Sequence, residues 1–254
     1  MKTIRTIENL NALRPQLDGH IGFVPTMGAL HAGHLSLIAL AKKHSDYVIA
    51  SIFVNPTQFA PNEDFNSYPR QEEQDAEKLQ AAGVDVLFLP TANDLYADGY
   101  NSNIETGKNA LGLEADFRPT HFAGVANIVS RLFKTVKPDT AIFGEKDFQQ
   151  LQVIREMVQR YDMGIQIIGA PIARDEYGLA LSSRNVYLSA ENLVVARKLN
   201  TILHEIANGG EIETGNAQLI DLGFEKIDYI EKRWNRVLGA AYLGKTRLID
   251  NIAL

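Results

Sequence analysis

Residues 25–34 read Pro25-Thr26-Met27-Gly28-Ala29-Leu30-His31-Ala32-Gly33-His34, and the fold turns on them. The apolar run Ile21-Gly22-Phe23-Val24 precedes them with the pattern of a buried strand, and Leu35 to Lys43 follows with that of a helix. A strand, a glycine-rich turn and a helix start aim backbone N–H groups and a positive helix end at one place, which suits a phosphate. His31 and His34 are three apart, a spacing that puts both on one face of the first helical turn. The stretch lacks the G-x-G-x-x-G of a dinucleotide site. Gly28 and Gly33 have P-loop spacing, but His34 and Leu35 stand where that loop needs Lys and Ser or Thr. Two histidines without a third ligand nearby make a poor metal site. The plainer alternative is a pair of ordinary histidines at a helix start.

Outward from this turn, strands and helices alternate. Tyr47–Val54 reads as a buried parallel strand, residues 69–82 as a helix closed by Gly83, and Val84–Pro90 as the next strand. A short helix over residues 8–13 precedes the first strand in this reading, and residues 91–120 read as irregular. Val125–Val136 reads as helix, Thr140–Phe143 as strand, 148–161 as helix and 165–172 as strand. The pattern predicts an α/β fold, a doubly wound, Rossmann-like parallel sheet domain over residues 1–175. Ligands in such a sheet gather at the carboxyl ends of the strands. Beyond the boundary, a helix from Ser189 to Ala207, a short one over 217–222 and strands at 226–230 and 236–243 predict a smaller C-terminal α+β domain over 176–254.

The 254 residues include 45% hydrophobic and 22% charged side chains, an ordinary globular composition with enough apolar material for a core. There are no cysteines, which excludes disulfides, thiol catalysis and thiolate metal sites and is compatible with a reducing cytosol. A net charge of −6 argues against a nucleic-acid partner. The first ten residues lack the apolar run of a signal peptide, and no apolar run reaches membrane-spanning length.

His31-Ala32-Gly33-His34 resembles the H-x-G-H signature of a nucleotidyltransferase superfamily. The blocks around it are more specific: residues 25–30, Phe53-Val54-Asn55-Pro56-Thr57-Gln58-Phe59, Tyr68-Pro69-Arg70, Arg118 to Val125, Phe143 to Leu151, Leu181-Ser182-Ser183-Arg184-Asn185 and Arg247 to Ile252. Together and in this order they resemble the pantoate–β-alanine ligase family over nearly the full length. The resemblance implies an ATP-dependent, magnesium-dependent, cytoplasmic homodimer. It implies that pantoate attacks ATP to give pantoyl adenylate, which β-alanine then captures.

The resemblance implies catalytic roles for His31, His34, Lys146, Ser182, Ser183 and Arg184. ATP would meet Met27, His34, Gly144, Lys146, Asp147, Ser182, Ser183 and Arg184. Pantoate would meet Gln58, Gln150 and Met27, with Phe59 against its gem-dimethyl group; β-alanine would meet Arg118 and His121, with Arg184 nearby. Asp75 matches the metal-binding acid. Read singly, Lys146 is a solvated lysine, Ser182-Ser183-Arg184 a common loop, Gln58 and Gln150 surface amides, and Asp75 one acid beside Glu72, Glu73 and Glu77. The chain departs from the family at Thr120, where the R-P-G-H-F block has Gly, at residues 111–114, and in a shortened stretch over 230–236. Residues 60–68 are a candidate lid over the adenylate. The alternatives are another H-x-G-H adenylyltransferase with a phosphate-bearing acceptor, and a non-catalytic nucleotide binder on the same fold.

Overall fold

A computed structural model describes residues 1–61 and 63–254. These divide into two compact units, Met1–Glu145 with Gln149–Ala170, and Lys146–Phe148 with Pro171–Leu254.

The first unit carries six strands: β1 (Lys2–Ile4), β2 (Ile21–Thr26), β3 (Tyr47–Ile52), β4 (Val86–Phe88), β5 (Thr140–Gly144) and β6 (Gln166–Ala170). Their order is β1-β4-β3-β2-β5-β6, and every pairing is parallel. The chain winds outward from β2 through β3 to β4, then returns to the other side of β2 for β5 and β6. The strand order therefore reverses between β2 and β5, the place where a doubly wound sheet opens a crevice at its strand ends. The expected α/β class is the observed one. β1 escaped the sequence reading because three residues at an edge carry no period.

Helices cover both faces, which is why the strands are near-continuous apolar runs. The helices of this unit are α1 (Ile7–Leu13), α2 (Ala32–His44), α3 (Glu72–Ala81), α4 (Ala92–Leu95), α5 (Glu114–Phe117), α6 (His121–Val136) and α7 (Phe148–Arg160), the last with its first residue in the other unit. Side chains alternate along a strand, so Val24 packs with Leu37, Ile38 and Ala41 of α2 and Leu79 of α3. Phe23 points the other way and meets Phe133 of α6 edge-on at 6.3 Å. α2 ends on Lys42 and Lys43, cations suited to the negative end of a helix. α6 begins four residues before the expected start. It ends at Lys137, which adopts a left-handed φ of 52° before Pro138. α3 begins at Glu72, three residues beyond Pro69, and residues 91–120 hold the four-residue helices α4 and α5.

The second unit packs α8 (Ala190–Ala207) and α9 (Ile212–Asp221) on an antiparallel sheet of β7 (Lys226–Arg233), β8 (Arg236–Leu243) and β9 (Thr246–Ala253). Ser189 caps α8 by accepting from Asn192 N at 3.2 Å. Its core joins Leu199, Ile202, Leu203 and Ile206 to Val237, Ala241 and Leu248. Gly239 lets α8 close on the sheet, since a Cβ there would stand 2.9 Å from Leu203 Cδ2. Within residues 230–236, Trp234-Asn235 forms a two-residue hairpin turn between β7 and β8, with φ of 52° and 57°. Two left-handed residues match the twist of the paired strands. β9, which carries the motif from Arg247 to Ile252, is a strand beyond those expected.

Candidate active site

The carboxyl end of β2 runs into a turn that leaves ordinary backbone space at Gly28 (φ 83°) and Ala29 (φ 51°). Gly28 is also short of room, because a Cβ there would lie 3.1 Å from both Asp75 Oδ2 and Ile52 Cγ2. Thr26 fastens the turn to β3, its hydroxyl donating to Ser51 O at 2.8 Å and accepting from Gly28 N at 3.2 Å.

The two histidines then form the N-terminal cap of α2. Gly33 N donates to His31 Nδ1 at 3.1 Å, and His31 N donates to His34 Nδ1 at 3.3 Å. The ring centroids are 4.1 Å apart. A capping box normally uses a hydroxyl and a carboxylate for these two bonds. Here imidazoles do both, and the bonds set their tautomers. A ring nitrogen that accepts from a backbone N–H carries no proton, so each neutral ring carries its proton on Nε2. The pair presents two Nε2–H donors at the positive end of a helix, at the sheet's switch point. Donors so placed suit phosphate oxygens.

Beside it, Met27 and Gln58 are in contact, with Gln58 Nε2 donating to Met27 Sδ at 3.2 Å. Gln58 Oε1 accepts from Asn55 Nδ2 at 3.0 Å. Asn55 is 1% exposed, and its own oxygen accepts from Tyr96 Oη at 2.6 Å and from Thr57 Oγ1 at 3.0 Å. The amide of Gln58 is thereby oriented with its NH₂ toward Met27. The sequence reading passed over Asn55. Its signal was there, since Asn before Pro56 invites a turn closed by its own side chain, and Thr57 N does donate to Asn55 Oδ1. Gln150 lies half-buried on α7; its neighbour Gln149 is buried and ties residues 109, 112 and 114 together.

Arg118 and His121 adjoin Gln58 in a different manner from that expected for a β-alanine site. Arg118 Nε and Nη2 donate to the two Glu63 carboxylate oxygens at 2.6 and 2.9 Å. Burial works to raise the Glu63 carboxyl, and the bonds and charge of Arg118 outweigh it, holding it below the usual carboxylate range. His121 is buried and its Nδ1 lies 3.0 Å from Gln58 O. Desolvation, helped by the charge of Arg118, pushes its pKa down to about 4. The ring is therefore neutral at pH 7, and because a carbonyl only accepts, Nδ1 carries the proton. Arg118 thus holds Glu63, and both side chains meet the Gln58 carbonyl. The lid expected over 60–68 includes Asn62, which lies outside the described residues.

Asp75 does not fit the metal role expected of it. Its side chain is 1% exposed. Oδ2 accepts from Ala29 N at 2.7 Å and Oδ1 from Leu30 N at 2.8 Å. The Lys78 ammonium stands 3.7 Å from Oδ1, a poor neighbour for a dication. Among the described residues no cluster of three metal-ligating side chains occurs. This donor set fits a backbone clamp, not a resident magnesium ion.

Of the remaining candidates, Gly144 belongs to the first unit and Lys146, Asp147, Ser182, Ser183 and Arg184 to the second. Lys146 lies in a 3₁₀ turn (Glu145–Asp147), with its carbonyl accepting from Asn251 Nδ2 at 3.1 Å. Lys146 and Ser182 line one cavity with Asn185, Arg247 and Asp250. Ser182 caps the 3₁₀ turn Ser183–Tyr187, accepting from Arg184 N at 3.2 Å. Asp250 is fixed by a two-pronged bond from Arg174 at 2.7 and 2.9 Å. Gly144 ends β5, and Asp147 is exposed.

A doubly wound sheet with a histidine-capped phosphate turn defines a nucleotide-handling α/β enzyme. The family model described as pantoate-beta-alanine ligase matches residues 2–253. The chain belongs to that family. It is 47% identical to a pantothenate synthetase of Mesorhizobium japonicum, covering 99% of this chain and 98% of that protein, and 46% identical to one of Rhodospirillum rubrum over 100% of both. It superposes with a TM-score of 0.93 on a pantoate-beta-alanine ligase from Francisella tularensis complexed with beta-gamma ATP and beta-alanine, at 42% identity over 100% of this chain and 97% of that one. A pantothenate synthetase from Thermus thermophilus gives 0.90 at 40% identity, covering 100% and 99%.

Proposed function

We propose that this chain condenses pantoate with β-alanine at the expense of ATP, through pantoyl adenylate. A pantoate carboxylate oxygen attacks the α-phosphorus, the bond to the β-phosphate oxygen breaks, and pyrophosphate leaves. The β-alanine amine then attacks the acyl carbon, the acyl–oxygen bond breaks, and AMP leaves with that oxygen. The amine gives up a proton as the amide forms.

The observation that carries this reading is the histidine cap of α2, where both His31 and His34 accept backbone N–H bonds at Nδ1. Charge on a phosphoryl group grows on its non-bridging and leaving oxygens, and donors fixed in advance stabilise it without reorganisation. In this account His31 and His34 serve the α-phosphate and the departing pyrophosphate. Lys146 adds a cation, and Ser182, Ser183 and Arg184 take β- and γ-phosphate oxygens. Gly144 and Asp147 border the nucleotide. Gln58 and Gln150 hold pantoate through amides that both donate and accept, and Met27 and Phe59 offer it apolar contact. The bond from Asn55 fixes which way the Gln58 amide faces pantoate. β-Alanine's carboxylate takes Arg118 in exchange for Glu63, while His121 keeps the segment in place. Magnesium would come with the ATP substrate, since Asp75 is committed to the turn. The enzyme works as a cytoplasmic homodimer, a reading supported by the family resemblance.

Pantoate labelled with ¹⁸O in its carboxylate tests the chemistry. The account expects one label in AMP per pantothenate formed. Unlabelled AMP contradicts an adenylate intermediate.

A further inference from the structure

Asp75 is completely buried on α3, 46 residues from the turn it touches, and both of its oxygens are given to that turn. Two residues along the turn, at Ala29 and Leu30, face it with their N–H groups. On the next turn of α3, Lys78 Nζ donates to Leu30 O at 2.9 Å. The peptide groups just ahead of His31 are thus held from one helix by an anion on the N–H side and a cation on the carbonyl side. Ala29 sits at φ 51°, a left-handed conformation that a non-glycine residue keeps only when its surroundings insist. The clamp supplies that insistence. Leu30 is followed at once by His31, whose backbone N–H is bonded to His34 Nδ1.

We propose that Asp75 and Lys78 are positioning residues for the adenylation step: they fix the turn whose backbone sets where the His31 and His34 rings stand. The proposal rests on the adenylate reading of the two histidines and deepens it. It assigns Asp75 to the protein's own turn and leaves magnesium to the nucleotide. A group that positions through a hydrogen-bonded backbone acts on the rate and not on metal affinity. Misplacement of transition-state donors by a fraction of an ångström is costly, because their benefit depends on prior alignment.

The substitution D75N keeps the shape and loses one acceptor, so one N–H of the turn faces an amide NH₂. The test is pantoate-dependent ATP/pyrophosphate exchange titrated with magnesium, per folded enzyme, well below the unfolding midpoint. The expected result is a fall in maximal rate of at least 30-fold, with half-saturating magnesium within twofold of the wild type. A maximal rate restored by several-fold more magnesium assigns Asp75 to the metal and overturns the proposal. An unchanged rate at unchanged magnesium overturns it too, since a side chain that only stabilises the fold leaves the rate per folded molecule alone. K78M keeps the test open if D75N does not fold. It is expected to lower the maximal rate at least threefold with the magnesium curve unmoved; a lower magnesium requirement marks the site as metal-binding, and an unchanged rate removes Lys78. Wild-type enzyme without pantoate-dependent exchange contradicts the adenylate reading itself, a separate result from any of these.

Discussion

At the scale of single residues, the histidine pair was legible as a pair and not as a mechanism. Spacing put His31 and His34 on one face; only the backbone bonds at 3.1 and 3.3 Å reveal that both rings present Nε2–H. His34→Ala and Lys146→Ala are each expected to slow single-turnover adenylation by about 100-fold or more, the scale for losing one preorganised charge partner. Rapid quench with labelled ATP measures it, and a near-normal rate removes that residue from its role. Asp75 shows the opposite limit. An acid on a helix rich in Glu72, Glu73 and Glu77 looks solvated or metal-binding in sequence, and its partners lie 46 residues away in the chain. His121 yields a pH prediction. Its folded pKa of about 4 lies below the ordinary 6.5, so between those values the unfolded chain binds a proton that the folded chain refuses. Stability from this group is complete above pH 6.5 and is lost as pH falls toward 4, on the order of 3 kcal/mol across the window. Urea unfolding of wild type and H121Q at pH 7 and pH 5 reads this directly: the gap between them should shrink at pH 5.

At the scale of elements, the alternation of strands and helices was legible because buried parallel strands write themselves as apolar runs. What was not legible was packing between distant segments. α6 crosses the 3₁₀ turn Pro56–Gln58 so closely that a Cβ on Gly124 would stand 2.2 Å from Thr57 O. Gly124→Ala should therefore cost about 1–3 kcal/mol by overpacking and displace the turn that carries Gln58. Thermal unfolding and the pantoate KM are expected to worsen together; an unchanged KM with normal stability contradicts the role given to this contact. The Arg118–Glu63 pair belongs at this scale as well, since it joins a helix end to a loop. If Arg118 receives β-alanine's carboxylate in place of Glu63, Glu63→Gln removes a competing anion and should lower the β-alanine KM about 3- to 10-fold, within the range for a charge-assisted hydrogen bond. A raised KM shows instead that the pair is needed to hold the loop. The left-handed hairpin turn at Trp234-Asn235 emerged only with the fold.

At the scale of the whole molecule, a chain with net charge −6 handles a polyanionic substrate. The proposed means are local ones: a helix end and two imidazoles in the first unit, and a lysine and an arginine on short turns of the second. The order of the sheet puts the first of these at its switch point, where the strand order turns back between β2 and β5. The class of fold and the family were both legible in the sequence, since motif blocks spread over nearly the full length are hard to assemble by chance. The clamp on the turn, the orientation of Gln58 and the capture of Arg118 were not, because each is a meeting of residues far apart in sequence. The most direct measurement is ATP/pyrophosphate exchange with magnesium, with and without pantoate, β-alanine being absent. The account predicts exchange that depends on pantoate and requires no β-alanine. A folded, ATP-binding protein that shows no exchange with pantoate would contradict it.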